Sequence, residues 1–305
     1  MPENSGGVVP SDSVPAGTAL GGLTTRAIVA ARLAARSEPL VRRPPTNGRA
    51  SALVAASAPL PVVAAAAPAP TAAAAVGSAG DTVVALTAIR KRIAANLTHS
   101  LATAAHTLVV VEVDYSAVES VRTANKLSYL PFVGRAVVDA LRQFPHVNAS
   151  LGDDALVVHR EINLGISVDL DFQGLVVPVV RNADGLRLTA LADHFRSMAA
   201  RARARELSAD DLRGGTFTIT NAGSYGTVVT GPIINHPQVA ILSTDGVHMR
   251  PCAVADDAGG WSVGIRPIGN LSLSFDHRAF DGAYATAFLA LVRDILVQRD
   301  WEDEI

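Results

Sequence analysis

Cysteine, lysine and aromatic residues are scarce in this chain of 305 residues, and each shortage excludes something. Cys252 is the only cysteine. An internal disulfide and a cysteine-built zinc site are therefore impossible, and nothing marks an oxidising compartment, so the expected setting is cytoplasmic. The histidines do not fill that gap. His99 and His106 lie seven apart with no His-x-x-x-His pair or acidic cluster beside them, and no metal is expected. Aromatic residues make up 5% and charged residues 18%, and the formal net charge is −2. That balance gives no global electrostatic reason to bind nucleic acid or an acidic membrane surface. A long unbroken apolar run is also missing. Leu53 to Val76 comes nearest, but Pro59, Pro61, Pro68 and Pro70 interrupt it, whereas a membrane span needs about 20 strongly apolar residues. Met1 to Pro10 has no basic start followed by an apolar run, so it does not read as a secretory signal.

What the chain does have is divided sharply near Asp81. Residues 1–80 are rich in Ala, Pro, Gly, Ser and Arg, a composition that cannot bury enough surface to offset backbone entropy. They are expected to form a disordered Ala/Pro-rich arm or linker, extended over Ala55 to Ala75. Thr25 to Arg43 is the exception, where a short amphipathic helix is plausible; a docking element and a transit peptide are the other readings of it. Residues 81–305 are expected to form one globular domain.

Within that domain the apolar spacing predicts helices and strands in alternation. Ile89, Ile93, Leu97 and Leu101 recur every four residues, which predicts a helix over Thr87 to Leu101 capped by Thr87. Further helices are expected over 116–125, 131–144, 191–207 and 283–297, with Pro131 in a first turn. Strands are expected over 107–114, 162–168, 175–180, 216–220 and 239–243, with two more between Trp261 and Phe275. Strands interleaved with long helices indicate a two-layer α/β (α+β) sandwich, a mixed sheet with packed helices.

The segment Asp276-His277-Arg278-Ala279-Phe280-Asp281-Gly282 carries the chemistry. It follows an alternating strand and precedes a helix, so His277 is fixed by the sheet yet reachable from a cleft. Imidazole suits proton transfer near neutrality. Pattern alone leaves a hydrogen-bonded core histidine and a catalytic base equally open. The segment resembles the signature of the acyltransferase (E2) components of 2-oxoacid dehydrogenase complexes, and is similar to the His-x-x-x-Asp-Gly motif of chloramphenicol acetyltransferase. Four other blocks resemble the same family in the same order: Ile89 to Ala94, Gly174 to Arg181, Leu207 to Asn221 and Pro232 to Leu242.

The resemblance implies a chloramphenicol acetyltransferase-like fold and acyl transfer between coenzyme A and dihydrolipoamide. His277 would be the general base, Thr220 the hydroxyl that stabilises the oxyanion, and Asp281 a support for loop and imidazole. It also implies coenzyme A held in a tunnel between subunits, a homotrimer or higher multiple of three, and E1 and E3 subunits as partners. The apolar residues Leu296, Val297, Trp301 and Ile305 are expected to contribute exposed surface for subunit contacts. His106 stands where the family often has a histidine, with a possible place in the substrate channel. The departures from the family concern the lipoyl group. Lys91 and Lys126 are the only lysines, neither in a lipoylation context, so the lipoyl domain is expected in trans. Two other functions fit the residues: a stand-alone coenzyme A acyltransferase acting on an amine or hydroxyl, and a core scaffold subunit.

Overall fold

The computed structural model describes residues 80–255 and 259–305. The extended arm and the helix expected at Thr25 to Arg43 lie outside them. Gly77–Ile305 forms one compact unit.

Helix α1 (Ala88–Thr103) begins where expected, with the Thr87 hydroxyl accepting the Arg90 N–H at 3.2 Å. Its apolar stripe is only partly covered, however: Ile89 is 51% and Leu101 56% exposed. Strand β1 (His106–Asp114) and helix α2 (Ser116–Ala124) follow. Helix α3 (Tyr129–Gln143) carries Pro131 in its first turn, where no intrahelical N–H is required. A small hairpin, β2 (Ala149–Leu151) and β3 (Leu156–Val158), leads to β4 (Leu164–Ile166) and β5 (Val168–Asp169). Strands β6 (Leu175–Val176) and β7 (Val179–Val180) are separated at Pro178, which has no N–H for a ladder. Helix α4 (Leu188–Arg203) and strands β8 (Phe217–Asn221) and β9 (Ala240–Thr244) come next. Then come β10 (His248–Ala255), β11 (Trp261–Asp276) and the closing helix α5 (Gly282–Gln298).

The main sheet has seven strands in the order β1-β11-β9-β8-β4-β7, with β10 also paired to β11. It is mixed: β4, β8 and β9 run parallel, and the other pairings are antiparallel. Two strands were expected between Trp261 and Phe275; one continuous strand of 16 residues is found. Pro267 lies within it, and its surroundings explain why the strand does not break there. A residue's N–H and C=O point to the same side of a strand, and the Pro267 carbonyl accepts Tyr115 N–H at 2.8 Å. The missing N–H therefore faces Tyr115, whose own carbonyl is already bonded by Glu119 N–H in α2.

Alternation along the strands gives the sheet two unlike faces. Phe217, Ile219, Leu242, Leu271, Leu273 and Phe275 are all buried on the face that receives the helices. There Phe288 of α5 meets Phe217 at 6.0 Å and Phe144 at 6.1 Å. Gly134 lets α3 and α4 approach closely, since a Cβ there would lie 2.9 Å from the Phe195 ring. The opposite face presents Thr218, Ser243, Ser272 and Ser274, also buried. Thr218 bonds Gln238 at the end of the 222–238 segment, which is tied to α1 where Ser100 Oγ donates to Ile234 O at 2.7 Å.

The C-terminal surface differs from expectation. Leu296 and Trp301 are buried in the chain's own core, with Trp301 edge-on to Phe132 at 5.1 Å. Only Val297 and Ile305 of that apolar set stay exposed. The larger exposed apolar groups are instead Val83, Val84 and Leu86 before α1, and Met249, Trp261, Val263 and Ile265 on the β10–β11 ribbon. No described helix is long and apolar enough to cross a membrane.

Candidate active site

His277 sits one residue beyond β11, on the turn into α5. Backbone bonds fix both ends of the turn: Asp276 N–H donates to Val239 O at 2.8 Å, and His277 N–H to Ala105 O at 2.9 Å. The carboxylate of Asp276, buried behind the turn, accepts Arg278 Nη2 at 2.6 Å, the Arg278 N–H at 3.0 Å and the Ala105 N–H at 3.2 Å. Burial alone would raise its pKa, but these donors outweigh that effect and hold the carboxyl below its ordinary range. Asp276 and Arg278 are thus the frame of the turn, and they leave the His277 side chain 47% exposed toward solvent.

Asp281 is beside His277 but not bonded to it. The Nδ1–Oδ1 distance is 3.9 Å, and the Asp281 side chain is 90% exposed. It caps α5 through its backbone, whose carbonyl accepts the Tyr284 and Ala285 N–H groups, while its carboxylate makes no capping bond.

Thr220 lies elsewhere. It pairs with Ser243 on β9, and Ser243 pairs with Ser272 on β11. Thr220 is therefore level with Ser272, five residues before His277. At about 3.4 Å per residue, this places the two side chains about 17 Å apart along the strands and two strands apart across the sheet. One chain does not bring His277 and Thr220 together.

Three further groups surround these positions. His106 donates or accepts at both ring nitrogens to backbone, with Nδ1 3.2 Å from Ala104 O and Nε2 accepting Ile234 N–H at 3.1 Å. Its ring is committed to holding the 232–238 loop against β1. In that loop Asn235 accepts Asn96 at 3.3 Å, and His236 packs edge-on to His99 at 4.6 Å. Burial, with repulsion from His99 and Arg278, pushes the His236 pKa down. Asp245, which carries no sequence signal, is buried at the end of β9. It accepts Thr227 and Thr230 hydroxyls at 2.7 Å each and Ser272 Oγ at 3.2 Å, anchoring the loop that follows Thr220. Among the described residues no group of three or more His, Cys, Asp or Glu could hold a metal ion.

Residues 78–301 match the family model of the 2-oxoacid dehydrogenase acyltransferase catalytic domain. The chain belongs to that family. It is 36% identical over 233 residues to the lipoamide acyltransferase component of the branched-chain α-keto acid dehydrogenase complex of Bacillus subtilis, covering 73% of this chain and 54% of the relative. The fold superposes with TM-score 0.67 on a dihydrolipoamide acetyltransferase of Azotobacter vinelandii, at 33% identity and covering 72% of this chain and 92% of that one. That protein was studied for the catalytic roles of a serine, a histidine and, four residues later, an asparagine. The cubic core of a pyruvate dehydrogenase multienzyme complex superposes equally well, with TM-score 0.67 at 32% identity, covering 72% and 92% of the two chains. The chain spans about half the length of the curated relatives it matches.

Proposed function

We propose that this protein transfers an acyl group between coenzyme A and a dihydrolipoyl thiol, at a site built from two chains. The observation that carries the proposal is the half-exposed His277 on a rigid strand-to-helix turn, with Asp281 four residues on. The histidine and asparagine of the Azotobacter acetyltransferase have the same spacing. His277 takes the proton from the attacking thiol, whose ordinary pKa of about 8.5 is within reach of an imidazole base. The new C–S bond converts the thioester carbonyl to a tetrahedral oxyanion, and Thr220 donates its hydroxyl to that oxygen. Collapse breaks the other C–S bond, and the departing thiolate regains the proton from the imidazolium. Asp281, beside the ring at 3.9 Å, supports the geometry of the turn and the imidazole.

Since one chain separates His277 from Thr220, the working site needs the Thr220 region of a neighbouring copy. A homotrimer, or a multiple of three as in the cubic core, supplies it. The dihydrolipoyl group arrives on a lipoyl domain in trans, and E1 and E3 subunits complete a cytoplasmic 2-oxoacid dehydrogenase assembly. Relatives named for branched-chain, acetyl and succinyl transfer all match at similar identity, so the acyl group is left open. The test is His277→Ala, assayed with acyl-CoA and dihydrolipoamide. Removal of a general base should cost about 10²- to 10⁴-fold in kcat with the oligomer intact. Activity within threefold of the unaltered protein would sink the proposal.

A further inference from the structure

The polar face of the sheet holds a row of hydroxyls beside Thr220 that the mechanism above leaves unused. Thr220, Ser243 and Ser272 are direct register neighbours on β8, β9 and β11. Register neighbours present their side chains to the same face. Ser243 and Ser272 are completely buried. Two hydroxyls on the same face have partners: Thr218 Oγ1 donates to Gln238 Oε1 at 2.7 Å, and Ser272 Oγ to Asp245 at 3.2 Å. Ser243 Oγ has none. A buried hydroxyl without a partner is a cost that alanine would avoid, and such a group calls for an explanation.

We propose that Ser243 is a positioning residue for Thr220: its hydroxyl donates to Thr220 Oγ1 when the site is assembled, directing the Thr220 proton toward the oxyanion. The inference rests on Thr220 being the oxyanion donor. A threonine hydroxyl has one proton and two lone pairs, and it rotates to suit its surroundings. Donation from Ser243 occupies a lone pair on the sheet side, which leaves the proton to face the cleft. The same bond polarises the Thr220 O–H. Adjacent strands lie about 4.8 Å apart, so two side-chain oxygens turned toward each other come within hydrogen-bond distance. Asp245 holds the next part of the device in place, since it clamps Ser272 on one side and the Thr227–Thr230 loop on the other. An oxyanion donor is effective when it is aimed before the charge develops, and a buried neighbour that serves only to aim it fits that requirement.

The experiment compares Ser243→Ala, Thr220→Val and the double variant in the assembled protein, with acetyl-CoA and dihydrolipoamide as substrates. Ser243→Ala should lower kcat about tenfold, the worth of one well-placed hydrogen bond, with KM for both substrates unchanged. The double variant should be no slower than Thr220→Val alone, since Ser243 acts only through Thr220. Ser243→Thr keeps a hydroxyl and should stay within about threefold of the unaltered protein. Unchanged kcat in Ser243→Ala, full additivity in the double variant, or Ser243→Thr as slow as Ser243→Ala would each overturn the proposal while a slow Thr220→Val kept the oxyanion role. A Thr220→Val variant with undiminished kcat would instead remove that role, and this proposal with it.

Discussion

At His277 the surrounding side chains divide between those that hold the turn and those free to act. Asp276 and Arg278 belong to the first group. Because the Asp276 carboxyl is held below its ordinary range, its contribution to stability is present above roughly pH 4, the unfolded value. That contribution is lost as pH falls through the lower folded value. Arg278→Ala removes the cation and leaves only the two backbone N–H donors against burial, so the Asp276 pKa rises and acid unfolding should begin at a higher pH. At neutral pH the variant should lose about 1.5–3 kcal/mol, the range for hydrogen bonds to a charged group. Melting curves between pH 3 and 7 check both statements, and superimposable curves for the two proteins would contradict them. The roles proposed for His277, Thr220 and Asp281 rest on a run of blocks that resembles a known family. Spacing alone could not tell a catalytic histidine from a structural one, and Thr220 alone is only a hydroxyl near a strand end. Asp245 and Ser243 left no trace in the sequence, because their meaning depends on which strands lie beside them.

Elements were easier to read where one period held without interruption. The alternation Leu271, Leu273, Phe275 against Ser272, Ser274 predicts a strand, and the apolar members do face the helices. Two strands were expected where β11 runs unbroken through Pro267, and β10, which contains Pro251, was not expected; β10 pairs only with β11 among the described strands, and an edge strand tolerates a missing N–H. The loop after Thr220 shows how closely elements constrain one another. A Cβ on Gly223 would lie 2.7 Å from the backbone oxygen of Asp245, a contact that no side-chain rotation relieves. Gly223→Ala should therefore shift the loop, costing roughly 1–3 kcal/mol of stability by overpacking. It should also lower kcat by misplacing Thr220, three residues away. An unchanged melting temperature together with unchanged kcat would show that the loop is not set by this contact.

For the molecule as a whole, the boundary and the assembly are separate matters. The family match begins at residue 78 and the compact unit at Gly77, close to the composition change at Asp81. A chain starting at residue 78 is expected to fold cooperatively and assemble as the full chain does, which thermal unfolding and light scattering would check; a non-cooperative transition would move the boundary upstream. The assembly carries the central claim, because the sheet holds His277 and Thr220 at opposite ends and the proposed chemistry needs them on one substrate. His277→Ala and Thr220→Val chains should each be nearly inactive alone. Mixed in equal amounts before assembly, they should regain activity, because an unaltered His277 can meet an unaltered Thr220 from the other chain. For random mixing in a ring of identical contacts, about a quarter of the sites are restored. Recovery near that fraction in a particle whose mass is a multiple of three chains is the predicted result. Two inactive proteins that stay inactive at every mixing ratio, despite proven co-assembly, would contradict the shared site.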